Sequence, residues 1–174
     1  MRTNKIDIVI GIDPDSEKNG VAFLDCRSKV MKTESLTFPE LIERLMIFDY
    51  ESKANETSYR VIIEAGWLNK SNWHLNPRHT KAVVAAIGNH VGRNHETGRK
   101  IMEMCEYHKI PYELIKPLAL KIGGVSMWKG KDGKITHEEL TAFTGITGRT
   151  NQEERDAALL AWTWAGFPSR VRAM

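Results

Sequence analysis

Residues 8–25, IVIGIDPDSEKNGVAFLD, hold two apolar runs around a short polar turn. The first run reads as a buried strand that ends on an acid, Asp13, and is stopped at once by Pro14. The turn closes at Gly20, and the second run reads as the hairpin partner of the first. An acid at the mouth of a core strand is costly unless a positive group or a cation meets it. Working outward, KVMKTESLTF reads as a third strand. Short turns between the three predict an antiparallel meander.

The rest of the chain alternates. FPELIERLMIFDYESKA carries Leu41, Ile42, Leu45 and Met46 at helical spacing, with Pro39 suited to a first turn. YRVIIEA is a short β-branched run with a second terminal acid, Glu64. A helical pattern runs from residue 80 to 108, weakened by Gly88, Gly92 and Gly98. It predicts either a break near Gly98 or close packing there. IPYELIKP predicts a fifth strand, segment 121–134 has no strong period, and THEELTAF and NQEERDAALLAWTWAGF predict two helices. The order is βββαβαβαα. The fold class expected is α/β: a five-stranded mixed sheet, three strands antiparallel and two parallel, with helices on both faces.

Length and composition bound the function. A chain of 174 residues with 27% charged residues fits one soluble domain, residues 1–174. No apolar run approaches the ~18–20 residues of a membrane span, and no signal-peptide pattern opens the chain. The expectation is a cytoplasmic protein without membrane association. Cys26 and Cys105 have no metal or redox spacing. Cys105 and His108 share a helix face without a second ligand pair, so both are expected to pack ordinarily.

Acids gather at three element ends: Asp13, Glu64, and Glu153, Glu154 and Asp156 at the head of the last helix. Asn151 and Glu154 have capping-box spacing, which explains Glu154 structurally. Glu153 and Asp156, three apart, share a face. Carboxylates converging beyond strand ends repel unless cations lie between them. Oxygen ligands suit Mg²⁺, and two such ions about 4 Å apart drive phosphodiester hydrolysis in two-metal sites.

IVIGIDPDSEKNGVAFLD, RVIIEAGW, YELIKPLALK and NQEERDAALLAW together resemble the RuvC-like Holliday-junction resolvases of the RNase H-like superfamily. The likeness spans Ile8 to Trp164. It implies an RNase H-like fold and a metal-dependent, structure-selective endonuclease acting on branched DNA, most directly four-way junctions. It implies 5′-phosphate and 3′-hydroxyl products and a homodimer making two symmetric cuts. Carried over by motif, Asp13, Glu64, Glu153 and Asp156 match the metal-binding acids. The cofactor implied is two Mg²⁺ ions, with Mn²⁺ as the alternative. Lys121 and Lys134 match functional lysines near the scissile phosphate, and Trp67 a base-stacking aromatic. Asp15 and Glu153 stand where the family has glycine and aspartate, and segment 121–134 lacks the family's glycine spacing.

Basic residues support a nucleic-acid partner. Lys116, Lys121, Lys129, Lys131 and Lys134 lie in one stretch with a single acid, Asp132, and with Trp128. The loop after Glu64 holds Trp67, Lys70, Trp73, His74, Arg78 and His79; Lys70, Arg78, Lys129 and Lys131 are expected nucleic-acid contacts. Trp162 and Trp164 are expected to pack. The long 80–108 helix is the candidate dimer contact. Competing readings are a non-catalytic nucleic-acid-binding protein, a nuclease for other branched DNA or RNA–DNA hybrids, and a phosphotransferase of the actin or sugar-kinase type. The last needs a second domain for which 174 residues leave no room.

Overall fold

The computed structural model describes residues 6–69 and 77–169. Its sheet begins with β1 (Ile8–Asp13), β2 (Asn19–Asp25) and β3 (Met31–Leu36). α1 (Phe38–Ala54) leads to β4 (Tyr59–Glu64), and α2 (Lys81–Tyr107) leads to β5 (Tyr112–Ile115). A small hairpin, β6 (Lys121–Ile122) and β7 (Val125–Ser126), precedes α3 (His137–Thr144) and α4 (Gln152–Trp164). The five main strands lie in the order β3-β2-β1-β4-β5. β1, β2 and β3 pair antiparallel, while β4 pairs parallel with β1 and β5 parallel with β4. This is the five-stranded mixed sheet that the sequence predicts.

The strand directions follow from the connections. Turns of a few residues permit only antiparallel neighbours, whereas parallel neighbours need a crossover of a dozen residues or more, here α1 and α2. Two aspartates organise the meander turns. Asp15 Oδ1 accepts from the Glu17 amide at 2.8 Å. Asp25 Oδ1 accepts from the amides of Arg27 at 2.8 Å and Ser28 at 2.9 Å.

Alternation along the strands then sorts the core into two layers. Ile10, Ile12, Val61 and Ile63 pack with Leu41 and Leu45 of α1 and with Ile101 and Cys105 of α2. Val9, Ala22, Leu24 and Ile62 face Ala157, Leu160 and Ala161 of α4. Each fully buried aliphatic side chain contributes on the order of 1.5–3 kcal/mol, so both faces are firmly covered. The expected capping box of α4 forms: Asn151 Oδ1 accepts from the Glu154 amide at 2.8 Å, and Glu154 accepts from the Asn151 amide at 2.7 Å. Trp162 is buried and Trp164 packs beside it, as expected.

Two expectations are resolved or extended. α2 runs unbroken through Gly98, which is buried where the Trp67 ring lies against the helix; close packing, not a break, explains that glycine. The β6–β7 hairpin was not foreseen. Its two-residue strands are too short for a periodic signal, although the pair Gly123-Gly124, both at positive φ, is a type I′ turn signature.

α4 lies unusually close to the sheet. A Cβ at Gly20 would strike the backbone of Glu153, and one at Gly11 would strike that of Ala157. Gly20→Ala is therefore expected to destabilise the chain by roughly 1–3 kcal/mol, measured by urea denaturation. Unchanged stability would contradict this packing.

Candidate active site

Strand register assembles the acids. Parallel pairing matches Gly11 with Ile62 and Ile12 with Ile63, so Asp13 and Glu64 occupy the next step of the same ladder. By alternation both share the α4 face with Val9, Gly11 and Ile62. Neighbouring strands stand only about 4.8 Å apart, so the two carboxyls are close by construction. On the other side of β1, Asp13 pairs with Gly20, the residue against which the backbone of Glu153 lies. One hairpin thus carries Asp13 and also seats the head of α4 beside it.

Lys134 lines the same cavity. Its Nζ donates to Asp156 Oδ2 at 2.8 Å, and Gln152 Nε2 donates to Asp156 Oδ1 at 2.7 Å. The segment carrying Lys134 is tied down on both sides. The Gly130 amide donates to the Lys134 carbonyl at 2.9 Å, and Arg155 Nε donates to the next carbonyl, that of Ile135, at 3.2 Å.

A cavity of about 330 Å³ opens over these groups, lined by Asp13, Asp15, Glu64, Glu153 and Lys134 and walled by Trp67, Pro117 and the α2 residues His90, Val91, Asn94 and His95. Trp67 is half-buried, edge-on to His95 with ring centroids 6.3 Å apart. The Arg99 guanidinium lies 5.6 Å from the Trp67 ring centre. Burial, with Arg99 close by, lowers the His95 pKa.

The electrostatics are out of balance. Burial, then Glu64 and Asp156, hold the Asp13 pKa well above the usual aspartate range, with Lys134 opposing. Burial and then Asp156 push Glu64 up to about 7, again against Lys134. Burial alone would lower the Lys134 pKa, but Asp156, then Asp13 and Glu64, outweigh it and raise it. One ammonium among five carboxyl groups leaves the acids in excess in this recess. That all-oxygen donor set fits a hard divalent cation. Among the described residues, no three Asp, Glu, His or Cys side chains are grouped to hold an ion as they stand. Asp156 commits its oxygens to Lys134 and Gln152 and would have to exchange one of those bonds to join.

The expected residues divide by position. Asp13, Glu64, Glu153, Lys134 and Trp67 line the cavity, with Asp156 behind Lys134. Lys121 is on the exposed β6 strand and is not among the lining residues; Lys129 and Arg78 are exposed loop residues, and Lys131 is exposed at the start of a single 3-10 turn, Lys131–Gly133. Lys70, Trp73 and His74 fall outside the described residues. Trp128 packs inward against Phe143, centroids 6.1 Å apart, and so anchors its loop.

Sequence reasoning missed the α2 wall and the place of Asp15. Asn94 Nδ2 donates to Asp15 Oδ2 at 3.1 Å, and the Ser16 amide donates to Asn94 Oδ1 at 3.0 Å. This reciprocal pair fastens the β1–β2 turn to α2. The available signal was polar residues, Asn94 and His95, interrupting the row that continues from Val91 to Gly98.

No family model matches the sequence, and no curated protein matches it. Among solved structures, the chain is similar to T. thermophilus RuvC in complex with a Holliday junction substrate, at 13% identity over 90% of each chain with a TM-score of 0.44. It is also similar to a Thermus thermophilus RuvC structure, at 16% identity over 91% of this chain and 96% of that one, with a TM-score of 0.40. At that level of likeness, the chain's own strand order and register carry the fold.

The raised carboxyls predict a pH dependence. Between 4.5, the ordinary glutamate value, and about 7, folded Glu64 retains a proton that the unfolded chain releases. Stability of the metal-free chain therefore falls as pH rises through that window. Glu64→Gln is expected to flatten the slope and to exceed wild type at pH 8 by on the order of 1–3 kcal/mol, read from denaturation curves at several pH values. Wild-type stability that rises from pH 5 to 8 would refute the assignment.

Proposed function

We propose that this protein is a divalent-metal-dependent endonuclease that resolves branched DNA, four-way junctions first among its substrates. The observation that carries the reading is the meeting of Asp13, Glu64 and Glu153 around one cavity, with Asp156 paired to Lys134 at its edge. The sequence resemblance to RuvC-like resolvases picks out the same residues. The competing sugar-kinase reading has nothing comparable in its favour, and a purely binding role leaves the excess of recessed acids without a purpose.

In this reading, Asp13, Glu64, Glu153 and Asp156 hold the ions. Bound there, Mg²⁺ or Mn²⁺ supplies Lewis-acid activation of water and neutralises charge on the leaving oxygen. Lys134, kept protonated by its acidic neighbours, spends one N–H on Asp156 and retains two donors for a phosphate oxygen. Trp67 offers the edge of a half-buried ring to a base or sugar at the cavity wall. Lys121, Lys129, Lys131 and Arg78 meet the phosphate backbone farther out, where each contact adds salt dependence; Lys70 joins them from the sequence reading alone. The active form is a homodimer. Supporting this, most of α2 from Lys81 to Thr97 is exposed or half-exposed, with Val83 and Ile87 on one face at 43% and 38% exposure.

The test is cleavage of labelled four-way junction, linear duplex and RNA–DNA hybrid, with Mg²⁺ or EDTA. Junction cleavage is expected with Mg²⁺ alone, and Asp13→Asn is expected to lower it by roughly 10²–10³-fold or more. Cutting in EDTA, or undiminished cutting by Asp13→Asn, would overturn the mechanism. Preference for the hybrid would redirect the substrate while keeping the chemistry.

A further inference from the structure

The β6–β7 hairpin carries the most exposed aliphatic pair among the described residues of the Lys-rich segment. Ile122 is 63% exposed and Val125 71%, and they are directly paired across the ladder, so their side chains emerge on the same face. Gly123 and Gly124 close the turn at positive φ. They add no side chains, and the tip is reduced to the two aliphatic groups. A two-stranded ribbon gains nothing from holding such groups in water.

The base of the hairpin, by contrast, is fixed. The Met127 amide donates to the Leu120 carbonyl at 2.7 Å. Gly133 is buried against the Leu120 carbonyl and Ser126. The chain enters the hairpin from Pro117 and leaves it toward Lys134, both of which line the acid cavity. The hairpin is therefore held at its base between two segments that line that cavity. Lys121 beside the tip and Lys129 and Lys131 after it are exposed, and a cationic collar suits polyanionic phosphate rather than an apolar protein groove.

We propose that this hairpin is a strand-opening wedge: Ile122 and Val125 enter an unstacked base step of branched DNA while the surrounding lysines hold the flanking phosphates. Apolar side chains inserted between base steps open and kink duplexes in this way. The inference rests on the proposed nucleic-acid function and adds how the substrate is deformed.

The test uses full-length wild type and the double variant Ile122→Thr/Val125→Thr, which keeps β-branched residues in the strands. Both are mixed in EDTA with a four-way junction carrying 2-aminopurine at the branch. Binding is followed by mobility shift and unstacking by fluorescence. Both proteins are expected to melt alike, because the altered side chains are exposed, and to bind within about threefold of each other. Wild type is expected to raise the fluorescence and the double variant to leave it at the free-DNA level. With Mg²⁺, the variant is expected to cut intact junctions at least about tenfold more slowly and to recover on junctions with unpaired nucleotides at the centre. An equal fluorescence rise with both proteins would overturn the wedge while leaving the nuclease reading intact. A change in oligomeric state or melting temperature in the variant would assign the hairpin to protein packing instead. Failure of wild type to bind any branched DNA would overturn both readings.

Discussion

Asp13 and Glu64 are forced together because they end adjacent parallel strands one step past the Ile12–Ile63 pair. Backbone hydrogen bonding fixes that proximity, and no side-chain rearrangement relieves it fully. The surrounding architecture serves this constraint. Gly20 and Gly11 admit α4 against the sheet, so Glu153 arrives at the same edge. Arg155 and Gln152 on that helix then reach the segment bearing Lys134. The site is a consequence of sheet register and helix seating, which bring the acids to one edge, while Asp156 still has to give up a bond to Lys134 or Gln152 to join them.

The electrostatic cost is only partly offset. Lys134 pulls the pKa of Asp13 and Glu64 down, yet both still hold protons more tightly than free carboxyls do. A structure built solely for stability would place apolar side chains at strand ends facing a helix. Retained acids in a recess signal a site organised around charge yet to be supplied, either a cation or a cationic transition state. Asp15 belongs to the frame: its carboxylate shapes the β1–β2 turn and bonds Asn94, fixing the distance from that turn to α2.

Much of this was legible in the sequence wherever local chemistry decides the outcome. Strands ending in Asp13 and Glu64, the Asn151–Glu154 cap and the polar turns all obey short-range rules, and each appears where expected. The directions of neighbouring strands followed from the lengths of the connections, whereas the pairing of β4 with β1 came only with the structure. Long-range packing was less legible. Gly98 weakened a helical pattern, and only the position of Trp67 explains it. His90, Asn94 and His95 look like ordinary helix-surface residues until α2 is laid across the cavity. Trp128 stands among lysines in a stretch expected to meet nucleic acid, but Phe143 receives it. The β6–β7 hairpin escaped because two residues per strand carry no period, and its glycine pair was the single local clue.

The central proposal is that the four acids form one divalent-cation site in which Asp13 and Glu64 hold protons more tightly than free carboxyls until the ion binds. Calorimetric titration of Mn²⁺ or Mg²⁺ into the protein near pH 7, in two buffers of different ionisation enthalpy, tests it most directly. Binding is expected to release about one proton or more, with both the heat and the proton release lost in Asp13→Asn. Saturable binding without proton release, or binding that survives Asp13→Asn, would contradict the account.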